Sequence, residues 1–135
     1  MNQRYLLDTN VCIALERGRD QRLRDRVASH PLHSLCICEI VWAELRVGTF
    51  LAVDPELARL KIEPFSYLIS FPFDRAAAEC YAEIRSRLQR EGRLIGGNDM
   101  QIAAIALAYG LILVSHNSRE FSRVPGLLLE DWQSP

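Results

Sequence analysis

The sequence predicts an α/β fold with three layers, in which a mainly parallel sheet lies between helices. Short apolar segments alternate with amphipathic segments along the chain, an order that produces strand–helix–strand units. The run 111–114 is apolar throughout, which is typical of a strand that is buried on both faces of a parallel sheet. No repeat, linker or low-complexity tract interrupts the pattern, so residues 1–135 are expected to form one domain.

Five short segments have the length and apolar composition of strands. They are residues 4–7, 34–37, 70–73, 111–114 and 127–129. Pro72 cannot donate a backbone hydrogen bond, so the third strand is expected at an edge of the sheet or in an irregular form.

Six longer segments have helical periodicity. They are approximately residues 10–17, 21–29, 39–53, 55–69, 75–91 and 100–109, and Pro64 should kink or end the fourth. The expected N-caps are Asp20, Asp54, Asp74 and Asn98, and the expected terminating glycines are Gly18 and Gly110. The polar stretch 115–121 is predicted to be a loop.

The composition is that of an ordinary globular protein, with 49% hydrophobic and 24% charged residues and a formal net charge of −1. No apolar run approaches the roughly 20 residues that span a bilayer, and the N-terminus lacks a signal-peptide pattern. We therefore expect a cytoplasmic protein with no membrane partner. All but one of the basic residues are arginines, which suit phosphate groups, but the near-neutral total makes this a weak indication of nucleic-acid binding.

Two histidines and two cysteines lie within nine residues, at His30, His33, Cys36 and Cys38. Such a set could hold zinc. The same stretch also reads as a turn followed by a buried strand with two reduced thiols on one face. The tight, irregular spacing favours the strand.

Asp8 follows directly after the first predicted strand. Ligands of parallel α/β sheets gather beyond the carboxyl ends of the strands, so this carboxylate is a candidate site residue. The alternative is that Asp8 or Asn10 only caps the next helix.

Glu44 is predicted to lie on the buried face of its helix. At 100° per residue it falls within an apolar stripe made of Ile40, Val41, Val47, Gly48 and Leu51. An unpaired buried carboxylate is costly, so Glu44 should either form a buried ion pair with an arginine or belong to a catalytic or metal site.

Two more acids follow the same logic. Asp99 opens the helix after Gly96 and Gly97, and Glu120 lies in the segment after strand 111–114. Carboxylates that converge repel one another unless protons or a cation neutralise them. Oxygen ligands without His or Cys favour Mg²⁺ or Mn²⁺, and such an ion suits attack by an activated water on a phosphodiester. The products would carry 5′-phosphate and 3′-hydroxyl ends.

Four sequence blocks together resemble the PIN-domain ribonucleases, and more narrowly the VapC toxins of type II toxin–antitoxin systems. The blocks are Leu-Leu-Asp-Thr-Asn at 6–10, Ala-Glu-Leu at 43–45, Ile-Gly-Gly-Asn-Asp at 95–99 and Asn-Ser-Arg-Glu-Phe-Ser-Arg-Val-Pro-Gly-Leu at 117–127. The match covers nearly the whole chain.

The resemblance implies a PIN-like fold and a Mg²⁺-dependent endoribonuclease, with Mn²⁺ as an alternative ion. The substrate would be a structured RNA, tRNA among the candidates, and the protein would be a homodimer inhibited by a cognate VapB-like antitoxin. By position, the catalytic acids are Asp8, Glu44, Asp99 and Glu120, with Asp8 and Asp99 as metal ligands. The supporting residues are Asn10, Asn98, Ser115 and Asn117. Either Asn117 or Glu120 would complete the site.

Trp42 is predicted on the helix face opposite Glu44, beside Arg46 and Thr49. A large aromatic on a polar face is either a satellite core residue or an interface anchor. We therefore expect Trp42 and Arg46 to contact the antitoxin, in an apolar groove formed by residues 38–50 and 54–69.

Two other classes of protein fit less well. Phosphoryl-aspartate enzymes and receivers need a lysine after a later strand, but Lys61 lies in a helical segment. A scaffold that binds RNA without cleaving it would have no reason to bring Glu44 and Asp99 to one point.

Overall fold

Five parallel strands form a single sheet with helices on both faces. The computed structural model describes residues 3–135. The strands are β1 (Tyr5–Leu7), β2 (Leu35–Cys38), β3 (Ile69–Phe71), β4 (Ile112–Val114) and β5 (Leu128–Glu130). Their order in the sheet is β3-β2-β1-β4-β5, and every pairing is parallel. The predicted three-layer α/β/α architecture is confirmed, and β3 occupies the edge that Pro72 indicated.

The helices are α1 (Thr9–Arg17), α2 (Gln21–Ala28), α3 (Glu39–Leu51), α4 (Pro55–Ile62), α5 (Arg75–Arg90), α6 (Gly97–Tyr109) and α7 (Ser118–Phe121). Two short 3₁₀ segments cover Leu32–Ser34 and Glu63–Tyr67. Pro64 ends the regular helix as expected, because proline removes a helical donor. The predicted loop at 115–121 is wrong in part, since its second half is the single helical turn α7.

Aspartate side chains begin four of the helices. Asp8, Asp20, Asp54 and Asp74 each accept a hydrogen bond from the backbone N–H three residues later. Gly18 and Gly110 end α1 and α6 at φ values of 69° and 66°, a region that glycine enters without steric cost.

Helix α6 is the buried helix of the fold. Met100 and residues 102–106 are all buried, although they face different sides of the helix. Alanine at 103, 104 and 106 lets neighbouring elements approach closely. The helix therefore holds its first turn, with Asp99, in a fixed position against the sheet.

The predicted buried face of α3 is wrong. Val41, Leu45 and Thr49 are buried, whereas Val47 and Leu51 are 57% and 81% exposed. The buried stripe thus follows an i, i+4, i+8 row that contains a threonine. Burial of Thr49 is tolerated because its hydroxyl donates to the carbonyl of Arg46 at 2.8 Å.

The His-Cys segment forms a turn and a strand. His30 stacks on Trp132 with ring centroids 4.5 Å apart, while Cys36 and Cys38 are buried free thiols in β2. Burial raises the pKa of Cys36 to about 12 and that of Cys38 to about 11, so both thiols stay protonated. The structure places these residues as the buried-strand interpretation expects.

Candidate active site

Three neighbouring strands end at the same level of the sheet. Leu7 pairs with Val114, and Val114 pairs with Glu130. The next residues continue the ladder. The Asp8 N–H donates to the carbonyl of Val114 at 3.2 Å, and the Ser115 N–H donates to the carbonyl of Glu130 at 3.0 Å. Asp8, Ser115 and Asp131 therefore form a row at the carboxyl edge of the sheet.

Asp8 is buried, and it also caps α1. Its Oδ1 accepts the N–H of Val11 at 2.9 Å, which leaves Oδ2 for the site. Burial raises the pKa of Asp8, and the charges of Glu44 and Asp131 raise it further, outweighing the Ser115 hydroxyl and the Val11 N–H, which lower it. The capping role and the site role are thus compatible in one carboxylate.

Glu44 is fixed by donors from two other helices. Thr9 Oγ1 donates to Oε1 at 2.5 Å, and Asn98 Nδ2 donates to Oε2 at 3.2 Å. Among residues 3–135, none of the ion pairs includes Glu44. The predicted alternative of a buried Glu–Arg pair is therefore wrong, and neutral donors hold this carboxylate in place.

Asp99 lies in the first turn of α6 and faces the other acids. Burial is the main cause that raises the pKa of Asp99, and the charges of Asp8, Glu44 and Glu120 raise it further. The resulting pKa is about 6. The predicted N-cap at Asn98 is wrong, because the helix begins at Gly97 with Gly96 as its cap. The Asn98 side chain, which donates to Glu44, serves the site and not the helix end.

Glu120 brings the fourth negative charge. It is half-buried on α7, where Phe121 anchors the turn in the core, and its charge acts on Asp99. Asn117 precedes α7 and donates its backbone N–H to the Ser115 hydroxyl at 2.9 Å. Asn10 is exposed on α1.

The four acids fit a divalent cation by the chemistry of their donors. They are hard oxygen ligands, and within residues 3–135 none of them forms an ion pair with Arg, Lys or His. Burial is the largest cause of the raised pKa of Asp99, and the unbalanced charges of the other three acids add to it. No three His, Cys, Asp or Glu side chains of the described residues are grouped closely enough to enclose an ion as they stand.

Sequence reasoning missed three residues at this edge: Thr9, His116 and Asp131. Thr9 lies inside the Asp-Thr-Asn block but carries no charge that would draw attention to it. His116 and Asp131 follow the ends of β4 and β5, a signal already used for Asp8 after β1. The His116 Nδ1 lies 3.0 Å from Asp131 Oδ2.

A cleft of about 430 Å³ is lined by residues of α1, α3 and α4, and Glu44 is one of them. Its apolar lining includes Ile13, Leu45, Ala58 and Ile62. Lys61 lies at the other side of this cleft on α4, with Nζ 3.9 Å from Glu16, and it does not follow a strand as a phosphoryl-aspartate enzyme would require.

Trp42 and Arg46 contact residues of their own chain. Trp42 is half-buried against the core, and the Arg59 guanidinium lies 5.3 Å from its ring centroid. Arg46 donates to Thr49 Oγ1 at 2.9 Å and lies 4.4 Å from the ring centroid of Phe50. The face opposite Glu44 is thus less polar and more buried than the helical periodicity predicts.

Residues 5–127 match the model of the PIN domain family. The tRNA(fMet)-specific endonuclease VapC of Shigella flexneri is 38% identical over 130 residues, which cover 96% of this chain and 98% of that protein. Ribonuclease VapC2 of Rickettsia felis is 35% identical over 95% of this chain and 97% of its own length.

Solved structures agree with these relatives. The DNA-bound VapBC of Salmonella typhimurium superposes with a TM-score of 0.90 at 34% identity, over 96% of this chain and 98% of that one. VapBC2 of Rickettsia felis, bound to a DNA fragment from its promoter, gives 0.88 at 32% identity, over 96% and 99%. The chain therefore belongs to the PIN-domain family and, within it, to the VapC ribonucleases.

Proposed function

We propose that the protein is a metal-dependent endoribonuclease toxin that a cognate antitoxin neutralises. The charges of Asp8, Glu44 and Glu120 all act on Asp99, with no cation of the described chain among the four acids, and this observation carries the proposal. Four carboxylates kept together at this cost need a positive partner, and the transfer of a phosphodiester to water needs the same positive charge.

In this proposal, Asp8 and Asp99 would hold a Mg²⁺ or Mn²⁺ ion, which would supply positive charge at the phosphate and make the attacking water more acidic. Glu44, whose oxygens are oriented by Thr9 and Asn98, accepts the proton from that water. The water oxygen forms a new bond to phosphorus, the bond from phosphorus to the 3′ oxygen breaks, and the 3′ oxygen takes a proton from solvent. Glu120 and the neutral Asn117 and Asn10 support the water and the other carboxylates around the phosphate.

The substrate in this proposal is a structured RNA, with initiator tRNA as the first candidate. Two of the relatives carry the name tRNA(fMet)-specific endonuclease, at 38% and 35% identity. Cleavage of initiator tRNA is best compared with cleavage of an elongator tRNA of similar length, since both present the same backbone charge. A preference for the first at equal concentration would support recognition of structure over charge.

The chemistry has a direct test in the ends of the products. Purified protein incubated with initiator tRNA and Mg²⁺ should release fragments with 5′-phosphate and 3′-hydroxyl ends, and excess EDTA should abolish cleavage. Asp99→Asn should lower the rate at least a hundredfold, because it removes a metal ligand at nearly constant volume. Cyclic 2′,3′-phosphate ends that persist in EDTA would refute the proposal.

We propose the α1–α3–α4 cleft as the antitoxin-binding site, with Trp42 and Arg46 contacting the antitoxin on the far side of α3. The cleft has a mostly apolar lining that also includes Glu44, so a bound segment could reach the acids and place a cation among them. The solved relatives are VapBC complexes, which supports a VapB-like partner.

A cytoplasmic homodimer completes the proposal. No helix within residues 3–135 is long and apolar enough to cross a membrane.

Val47, Leu51 and Val53 are exposed apolar side chains near the end of α3 that a second copy could cover. Light scattering that gives twice the 15.4 kDa chain mass would support the dimer.

A further inference from the structure

A histidine and an aspartate lie beside the acids without a part in the proposed chemistry. His116 and Asp131 follow two adjacent strands, β4 and β5, and their side chains meet at 3.0 Å. The charge of Asp131 also reaches Asp8, which follows β1 on the other side of β4. The pair therefore extends the row of strand ends from Asp8 toward the β5 edge of the sheet.

Asp131 orients the His116 ring, whereas Asp131 does not need His116 to hold its own position. The Asp131 carboxylate also accepts the Gln133 N–H at 2.9 Å and the Ser134 hydroxyl at 2.7 Å, so it is fixed without the imidazole. The His116 side chain is 59% exposed. Its Nδ1 is occupied by Asp131, which leaves Nε2 free of any hydrogen bond to residues 3–135.

A fixed imidazole at this place has a chemical use. RNA is a polyanion, and the carboxylates of the site repel it wherever a metal ion does not shield them. An imidazole with a proton on each nitrogen donates Nδ1–H to the carboxylate and Nε2–H to an incoming anion. The carboxylate orients the ring before RNA arrives, so little freedom is lost on binding.

We propose that His116, held by Asp131, binds a non-bridging oxygen of a phosphodiester next to the one that is cleaved. This inference rests on the proposed function, since it takes RNA as the ligand of the acid site. His116 acts here on a phosphate that does not react, so it contributes to binding equally before and during the reaction.

The test measures binding of fluorophore-labelled initiator tRNA by anisotropy in EDTA, where cleavage is absent, over a series of salt concentrations. His116→Ala should raise Kd about tenfold and reduce the salt slope by about 0.7, the value for one phosphate contact on a single strand. His116→Arg should restore the slope. His33→Ala, which removes an exposed histidine before β2 at the opposite end of the sheet, should change neither quantity.

Cleavage kinetics in Mg²⁺ provide the second measurement. His116→Ala should raise KM with little change in kcat, and Asp131→Asn should produce part of the same effect. If His116→Ala is unstable, His116→Gln replaces it, because glutamine keeps a hydrogen-bond donor but carries no charge. This variant should show the reduced salt slope with a smaller rise in Kd. Unchanged Kd, slope and KM in an otherwise active enzyme would overturn the subsite, whereas a folded wild-type protein that cleaves no RNA would overturn the proposed function instead.

Discussion

At the scale of single residues, the site is defined by carboxylates that lack counter-charges. Asp99 is the clearest case, because burial and three neighbouring acids all raise its pKa, to about 6 from an ordinary value of 3.8. The folded protein thus binds this proton more tightly than the unfolded chain does. Protonation of Asp99 stabilises the fold, and the stabilisation appears as pH falls through 6 toward 3.8.

Asp99→Asn should therefore raise the stability of the metal-free protein at neutral pH. The expected gain in Tm at pH 7.5 is on the order of 2–4 °C, because the amide removes repulsion from Asp8, Glu44 and Glu120. At pH 5 the difference from wild type should shrink, since the wild-type carboxyl is then largely protonated. Thermal melts in EDTA at both pH values measure this, and a variant less stable than wild type at pH 7.5 would contradict it.

Thr9 provides a second prediction at this scale. Thr9→Val keeps the shape of the side chain but removes the hydroxyl that donates to Glu44 Oε1. The cleavage rate should fall about tenfold, as expected for the loss of one charge-assisted hydrogen bond that orients a proton acceptor. Thr9→Ser retains the donor and should keep most of the activity. Equal rates for the valine and serine variants would show that Thr9 does not position Glu44.

At the scale of elements, the acids are held on rigid parts of different helices. Glu44 on α3 receives hydrogen bonds from Thr9 at the start of α1 and from Asn98 at the start of α6. Three helices therefore meet at one carboxylate, and a shift of any of them moves the site. Glu44 also lines the cleft between α1, α3 and α4, so an occupant of the cleft would lie next to this carboxylate.

Leu57 tests the cleft as the antitoxin site. It lines the cleft on α4 and is half exposed, so Leu57→Glu should leave the fold intact. The substitution should weaken binding of the cognate antitoxin at least tenfold, because it places a charge in an apolar contact. Leu32→Glu, at an exposed leucine before β2, is the matched control. Titration calorimetry of both variants against antitoxin measures the difference.

Trp42→Ala completes this experiment on the other face of α3. The proposal expects weaker antitoxin binding with ribonuclease activity largely retained. Because Trp42 packs against the core, the melting temperature of the Trp42→Ala protein must be measured together with its antitoxin affinity. Loss of stability with unchanged antitoxin affinity would assign Trp42 to the core alone.

The sequence predicted the element order and the capping aspartates well, because these depend on local pattern. Asp8, Asp20, Asp54 and Asp74 signal helix starts through short-range hydrogen bonds. The face of α3 could not be predicted in the same way. Periodicity favours apolar Val47 and Leu51, but packing against α1 and α4 buries Thr49, whose hydroxyl is satisfied by its own helix.

The missed pair at His116 and Asp131 has a related cause. Neither residue lies in a strand or helix, and they meet only because β4 and β5 are neighbours that end in register. Strand order is a property of the whole sheet, and local pattern does not determine it. A search of the two residues after each predicted strand would have found both.

At the scale of the whole molecule, metal binding should be visible as stability. A ligand that binds only the folded state at a hundredfold excess over its Kd stabilises that state by about 2.7 kcal/mol. Mn²⁺ or Mg²⁺ should therefore raise the Tm of wild type, and Asp8→Asn with Asp99→Asn should remove the shift. Na⁺ at equal ionic strength controls for screening. An equal shift in the double variant would place the ion elsewhere.

The strand order β3-β2-β1-β4-β5 puts the first strand to be synthesised at the centre of the sheet. Leu6 pairs with Leu113. The second neighbour of β1, strand β4, is therefore synthesised only when most of the chain has been translated. Pairing between such distant segments is slow, because the intervening chain must be ordered first. Asp8 is likewise synthesised early and Glu120 late, because they lie near opposite ends of the chain. A nascent or truncated chain therefore lacks part of the candidate active site until the last strands have been synthesised.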